Sequence, residues 1–215
     1  MRRFADRVEA GRELGKRLSE YGGREDVLVL GLPRGGVPVG HVVARALDAP
    51  LDVLNVRKLG LPGQEELAMG AVASGGIRVL NEELVEQLRL SEEVIDRVTA
   101  QEVVELERRE RLYRDDRPAP DVSGRVVILV DDGLATGSTM EAAVRAVRTQ
   151  GPARVVVAVP TAPPQTCSRL AEVADEVVCL VQPYPFYAVG LSYDDFSEVA
   201  DDDVRRLLCD AELVG

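Results

Sequence analysis

The passage VVILVDDGLATGSTMEAAVRAV, residues 126–147, constrains the fold of this chain more than any other. The unbroken apolar run Val126–Val130 suits a strand covered on both faces, as in a parallel sheet between helix layers. The run ends on Asp131–Asp132 and passes through Gly133-Leu-Ala-Thr-Gly137. It then enters Ser138-Thr-Met-Glu141, which fits a capping box at a helix start. Backbone N–H groups and the positive end of the helix dipole would face that loop, a setting for a phosphate. Gly133 and Gly137 permit tight or left-handed turns, and Thr136, Ser138 and Thr139 add hydroxyl donors. With no GK[ST] and no nearby lysine, this is not an ATP-type P-loop.

The acid pair discriminates among ligands. Two carboxylates would repel a bare phosphate. They suit a sugar phosphate whose vicinal hydroxyls donate to them, at roughly 1.5–3 kcal/mol per charge-assisted bond. A helix-capping acid pair and a divalent-metal site are the alternatives.

The rest of the chain alternates strands and helices. Residues 4–20 have helical apolar spacing at Phe4, Val8, Leu14 and Leu18. A buried strand at 26–32 leads through Pro33-Arg34-Gly35-Gly36 into the helix HVVARAL, and LDVLNV (51–56) reads as a second strand ending at Arg57–Lys58. Residues 68–81 read as a hairpin around Gly75–Gly76, and 117–124 as a linker. Residues 82–114 interleave Glu and Arg at helical spacing, as a solvated helix pair or a partner-binding arm. Strands at 125–130, 154–160 and 176–181 alternate with helices at 139–150 and 163–173, before an aromatic stretch and a last acidic-start helix.

The expected fold is α/β: a mostly parallel twisted sheet with helices on both faces. It would form a single domain over 1–215, with a helical insertion at 82–116 and a small C-terminal hood at 183–200. Ligands of such sheets bind beyond the strands' carboxyl ends, where the loops at 33–36, 57–58 and 131–139 would converge.

Composition narrows the function. The 215 residues carry a formal net charge of -11, which argues against a nucleic-acid partner held by a general basic surface. No apolar run is long enough for a signal peptide core or a membrane span, so a cytoplasmic protein with no membrane partner is expected. Cys167, Cys179 and Cys209 lack metal-ligand spacing and read as free thiols. His41, the only histidine, lies in an apolar helix pattern and reads as structural rather than catalytic.

Asp131-Asp132-Gly-Leu-Ala-Thr-Gly-Ser-Thr139 resembles the 5-phosphoribosyl-1-pyrophosphate (PRPP) motif of type I phosphoribosyltransferases. The resemblance covers roughly residues 20–200 and looks closest to uncharacterised bacterial members bearing PRGG and VRK motifs. It implies that Asp131 and Asp132 hold the ribose hydroxyls, and that the loop through Gly133, Ala135, Thr136, Gly137, Ser138 and Thr139 holds the 5′-phosphate. Arg34, Gly35, Gly36 and Lys58 match the pyrophosphate-binding positions, and 59–72 the segment that covers bound PRPP. Asp131, Asp132, Arg34 and Lys58 are the implied catalytic set. Mg²⁺ is the implied cofactor, with Asp132 and Asp194 as metal residues. The implied partners are PRPP and a small heterocyclic acceptor, and family members are commonly homodimers.

PFYAVGLSYD resembles the hood of 6-oxopurine enzymes, with Phe186, Tyr187 and Val189 at the acceptor, although the same aromatics also suit packing beneath a flap. Ala135 disagrees with a 6-oxopurine acceptor. Those members usually carry Asp there, and Ala135 matches adenine- and xanthine-type loops. The acceptor stays open. The rivals are a PRPP- or nucleotide-binding regulatory protein and a phosphoribosyl hydrolase.

Overall fold

Val27–Gly31 (β1) and Val126–Val130 (β6) are apolar runs with every residue buried, and they pair in parallel with Val29 beside Ile128. In this computed structural model, which describes residues 3–114 and 117–212, they form the centre of a five-stranded parallel sheet. The other strands are Leu51–Val53 (β2), Arg154–Thr161 (β7) and Glu176–Val181 (β8), in the order β2-β1-β6-β7-β8. The expected α/β class is therefore observed. Positions 115–116, the end of the expected insertion, and the chain ends at 1–2 and 213–215 lie outside the described residues.

Strand order reverses between β1 and β6. Helix α2 (Gly36–Leu47), which follows β1, packs in one core layer with Val27, Val29 and Ile128. Helix α5 (Ser138–Arg148), which follows β6, packs in the opposite layer with Leu28, Leu30 and Leu129. Loops that leave adjacent parallel strands for opposite faces open a crevice between them, the usual ligand position in such sheets.

Helix α1 (Arg7–Arg17) departs from its apolar spacing. Val8 is 39% exposed, and Ala10, Gly11, Leu14 and Gly15 make the buried face. The reason is a glycine seam: a Cβ on Gly11 would lie 2.7 Å from Val42 Cβ, and one on Gly15 would lie 2.6 Å from Ala46 Cβ. Bare backbone lets α1 sit directly on α2. His41 has the structural place expected of it, with Nδ1 3.2 Å from the carbonyl of Leu207 in the last helix, α7 (Asp201–Glu212).

The expected strand 51–56 is not one strand. It splits after Val53, where Arg114 bonds the Val53 carbonyl and donates to Asp52 Oδ1 at 2.9 Å. The chain then crosses to a three-stranded antiparallel sheet of Val56–Leu61 (β3), Gln64–Ala73 (β4) and Ile77–Leu80 (β5). The β4–β5 hairpin turns at Gly75–Gly76 as expected, both with positive φ. Helices α3 (Glu82–Gln87) and α4 (Glu92–Arg114) follow. Ile95, Val98 and Leu106 of α4 pack on Leu59, Met69 and Val72, so the charge-dense segment buries one face against the second sheet.

Arg114 is 2% exposed and ties α4 to the edge of the main sheet. Arg114→Ala should lower the unfolding free energy in urea by about 3 kcal/mol, because Asp52 loses its partner in a partly buried site. A change below about 1 kcal/mol would show that the pair does not hold the two sheets together.

Candidate active site

The crevice between β1 and β6 is built from two loops in direct contact. A Cβ on Gly35 would lie 1.9 Å from Asp132 Oδ2, and one on Gly36 would lie 2.5 Å from the Val130 carbonyl. Only glycine lets the Pro33–Gly36 loop lie on the acid pair. Leu32 N–H donates to the Val130 carbonyl at 2.9 Å, so strand pairing runs up to the mouth of the crevice. The Pro33–Arg34 peptide is cis. Arg34 is exposed, and its guanidinium meets Glu198 at 2.5 Å.

Asp131 and Asp132 differ in environment. Asp131 accepts from the Asp132 backbone N–H at 2.8 Å. Burial pushes its carboxyl well above the ordinary value of 3.8, and the charge on Asp132 raises it further. Asp132 is raised by burial, but Arg7 opposes the shift and favours the ionised form. Arg7 Nε and Nη2 stand 2.9 and 2.8 Å from the same oxygen, Oδ2. The two acids titrate as a pair, in which burial and the charge on Asp132 favour a proton on Asp131 and Arg7 favours the ionised form of Asp132.

The loop after the acids departs from a capping box. The helix N-cap is Gly137, left-handed at φ 71, with no side-chain cap bond. Glu141 turns instead to Arg145 at 3.0 Å and Arg169 at 3.2 Å. Gly137 offers no side-chain cap, and Ser138 N–H meets only Thr136 Oγ1 at a long 3.5 Å, so the first turn can still take an anion. Thr136 Oγ1 and Ser138 Oγ lie 3.1 Å apart. The loop is braced from helix α6 (Pro164–Leu170), where Thr166 Oγ1 donates to the Ala135 carbonyl at 2.8 Å and Arg169 donates to the Thr136 carbonyl.

The Arg57–Lys58 pair is not at the end of the second strand, because both residues lie in β3. Strand alternation separates them. Arg57 pairs with Glu102 of α4 at 2.7 Å. Lys58 shares the opposite face with Val56, which packs on the α5 core layer. Lys58 thereby lies on the α5 side of β3, in a cross-strand row with Ala71 and Val79. Ala71 and Val79 line a cavity of about 590 Å³ between α5 and the β4–β5 hairpin, which reaches Ser138.

Of the expected acceptor residues, Val189 meets the crevice: a Cβ on Gly133 would lie 2.5 Å from its Cγ1. Phe186 is half-buried and Tyr187 is 77% exposed. The aromatic side chains brought to the acid pair are others. Tyr193 donates its hydroxyl to the Asp132 carbonyl at 2.5 Å, and Phe196 stacks on Tyr193 with centroids 5.1 Å apart. Arg7 lies over the Phe196 ring at 4.1 Å. Sequence reasoning missed Arg7, Thr166 and Arg169, which no local spacing marks, while Tyr193 and Phe196 fell within the expected hood at 183–200 without being singled out.

Asp194, the second expected metal residue, pairs with Arg3 at 3.0 Å. Among the described residues, no three His, Cys, Asp or Glu side chains cluster as a metal site. The carboxylate oxygens of Asp131 and Asp132 are of the donor type that Mg²⁺ takes, and the pair would hold such an ion beside a diphosphate whose charge it would neutralise. Cys167, Cys179 and Cys209 are free thiols.

A carboxyl raised by burial stabilises the fold fully below its unfolded value of 3.8, and that stability is lost as pH rises through the raised folded value. Asp131→Asn should therefore raise the melting temperature at about pH 7 and change it little near pH 3. A lowered melting temperature at neutral pH would show Asp131 to be ionised in the fold.

Residues 5–195 match the family described as the phosphoribosyl transferase domain. A protein of Mycobacterium tuberculosis, provisionally named a phosphoribosyl transferase, is 48% identical over 208 residues, which are 97% of this chain and 47% of that protein. The chain thus spans about half the length of that relative. The crystal structure of TT1426 from Thermus thermophilus superposes with a TM-score of 0.88 at 47% identity, covering 97% of this chain and 98% of that one. No helix among the described residues is long and apolar enough to cross a membrane. The chain belongs to the type I phosphoribosyltransferase family.

Proposed function

We propose that this chain transfers the 5-phosphoribosyl group of PRPP to a nucleobase or similar heterocycle and releases pyrophosphate. One observation carries the reading. The Gly35–Gly36 loop lies in contact with the acid pair, beside a helix start whose N-cap, Gly137, has no side chain to cap it, which supports adjoining sites for diphosphate, diol and phosphate.

The roles follow from the chemistry of each part. The first-turn amides of α5, with Thr136, Ser138 and Thr139, take the 5′-phosphate. Asp132 accepts from one ribose hydroxyl, and Asp131 pairs with its neighbour. The Pro33–Gly36 loop, Arg34 and Lys58 take the diphosphate. The C–O bond from the anomeric carbon to pyrophosphate breaks, and a bond to the acceptor's ring nitrogen forms on the opposite face. Mg²⁺, when bound, neutralises the leaving diphosphate. The protein's part is positioning and preorganised charge, which suits a site without histidine. The segment 183–200 acts as the hood, with Val189 against Gly133 and the Tyr193 hydroxyl on the Asp132 carbonyl.

Incubation with PRPP, Mg²⁺ and a panel of nucleobases should release pyrophosphate only when an acceptor is present. Release without an acceptor would make the chain a hydrolase, and saturable PRPP binding with no turnover across the panel would make it a binding protein. Replacing both Asp131 and Asp132 by Asn should weaken PRPP binding by on the order of 10- to 100-fold per lost bond. Normal binding by that variant would contradict the ribose assignment. Arg34→Ala should weaken pyrophosphate binding more than ribose 5-phosphate binding, and equal losses would remove Arg34 from the diphosphate site.

A further inference from the structure

We propose that Arg7 is a positioning residue for the ribose-binding carboxylate: it fixes Oδ2 of Asp132 so that the remaining acceptor capacity of the group faces the sugar. This inference rests on the ribose reading of the acid pair. The contact is not an ordinary surface ion pair, whose worth is small. The side chains of Arg7 and Asp132 are 12% and 13% exposed. Nε and Nη2 converge on one oxygen at 2.9 and 2.8 Å, Nη1 donates to the Ser197 carbonyl at 2.8 Å, and the guanidinium lies 4.1 Å from the centroid of Phe196. Every nitrogen of the guanidinium is thus engaged, and the ring fixes its plane.

The backbone that carries Arg7 is held equally firmly. The Gly11–Gly15 seam sets α1 against α2, and Phe4 exchanges backbone bonds of 2.8 Å with Ser192 and Asp194. A second brace, the Tyr193 hydroxyl, reaches the carbonyl of the same aspartate. Asp132 stands just past the end of β6, and its carboxylate has torsional freedom to lose on binding. A guanidinium on one oxygen removes that freedom before the ligand arrives, which lowers the ordering cost of binding.

A simple staple between the N-terminal helix and the loop would show the same contacts, so the test must separate stability from ligand orientation. Binding of ribose 5-phosphate and of pyrophosphate, each with Mg²⁺, is measured by calorimetry on the full chain. The variants are Arg7→Ala, Arg7→Lys, Asp132→Asn and the two double variants. Arg7→Ala should weaken ribose 5-phosphate binding by on the order of tenfold, the scale of one charge-assisted bond, and should shift pyrophosphate binding less than about twofold.

With Asn at 132, the same change should cause no further loss, because the effect runs through the carboxylate. Arg7→Lys should act in the same direction, since an ammonium cannot place two fixed N–H groups on one oxygen while stacking on Phe196. If Arg7→Ala fails to fold, the lysine cycle decides. Equal losses for both ligands, or a loss that persists with Asn at 132, would overturn the proposal. Unchanged binding in both Arg7 variants beside a weakened Asp132→Asn would sink Arg7 and leave the ribose reading intact. Normal ribose 5-phosphate binding by Asp132→Asn would remove that reading and this inference with it.

Discussion

The missing Cβ atoms of Gly35 and Gly36 let the loop after β1 lie directly on Asp131 and Asp132, and the carboxyl edge of the sheet is arranged around that contact. Any other residue at position 35 would place an atom 1.9 Å from Asp132 Oδ2. The contact covers part of both acids. Burial in turn favours a proton on Asp131, while Arg7 favours the charge on Asp132. One backbone approach thus sets the geometry of the crevice and the division of charge within it.

Much of this was legible because buried parallel strands leave a plain signature. Val27–Gly31 and Val126–Val130 are apolar at every position, and chemistry-bearing residues begin where each run stops. Parallel strands end on the same edge, so the approach of the Gly35–Gly36 loop to the acid pair followed from topology. The Gly75–Gly76 hairpin was legible for a similar reason, since paired glycines mark positive φ.

The rest depended on contacts between distant segments. Arg7 reads in sequence as one more charge on the polar side of an amphipathic helix, yet it reaches across 125 positions to Asp132. Val8 looked like a core residue, but the Gly11–Gly15 seam turns another face of α1 to α2. LDVLNV read as one strand because nothing local announces that Arg114 will take the Val53 carbonyl and divert the chain. Ser138–Glu141 fitted a capping box, but Arg145 and Arg169 compete for Glu141 and leave Gly137 as the cap. In each case a long-range or charged partner overrode the local preference.

Joint recognition of phosphate and diol by one loop is the claim on which the functional reading stands. It is tested most directly by titrating the wild-type chain with ribose 5-phosphate and with 2-deoxyribose 5-phosphate, and repeating both with Asn at positions 131 and 132. If the acids hold the sugar, the wild-type chain binds the deoxy sugar phosphate at least about tenfold more weakly, the scale of one charge-assisted hydrogen bond, and the double variant binds the two alike. Equal affinity of the wild-type chain for both sugars would contradict it.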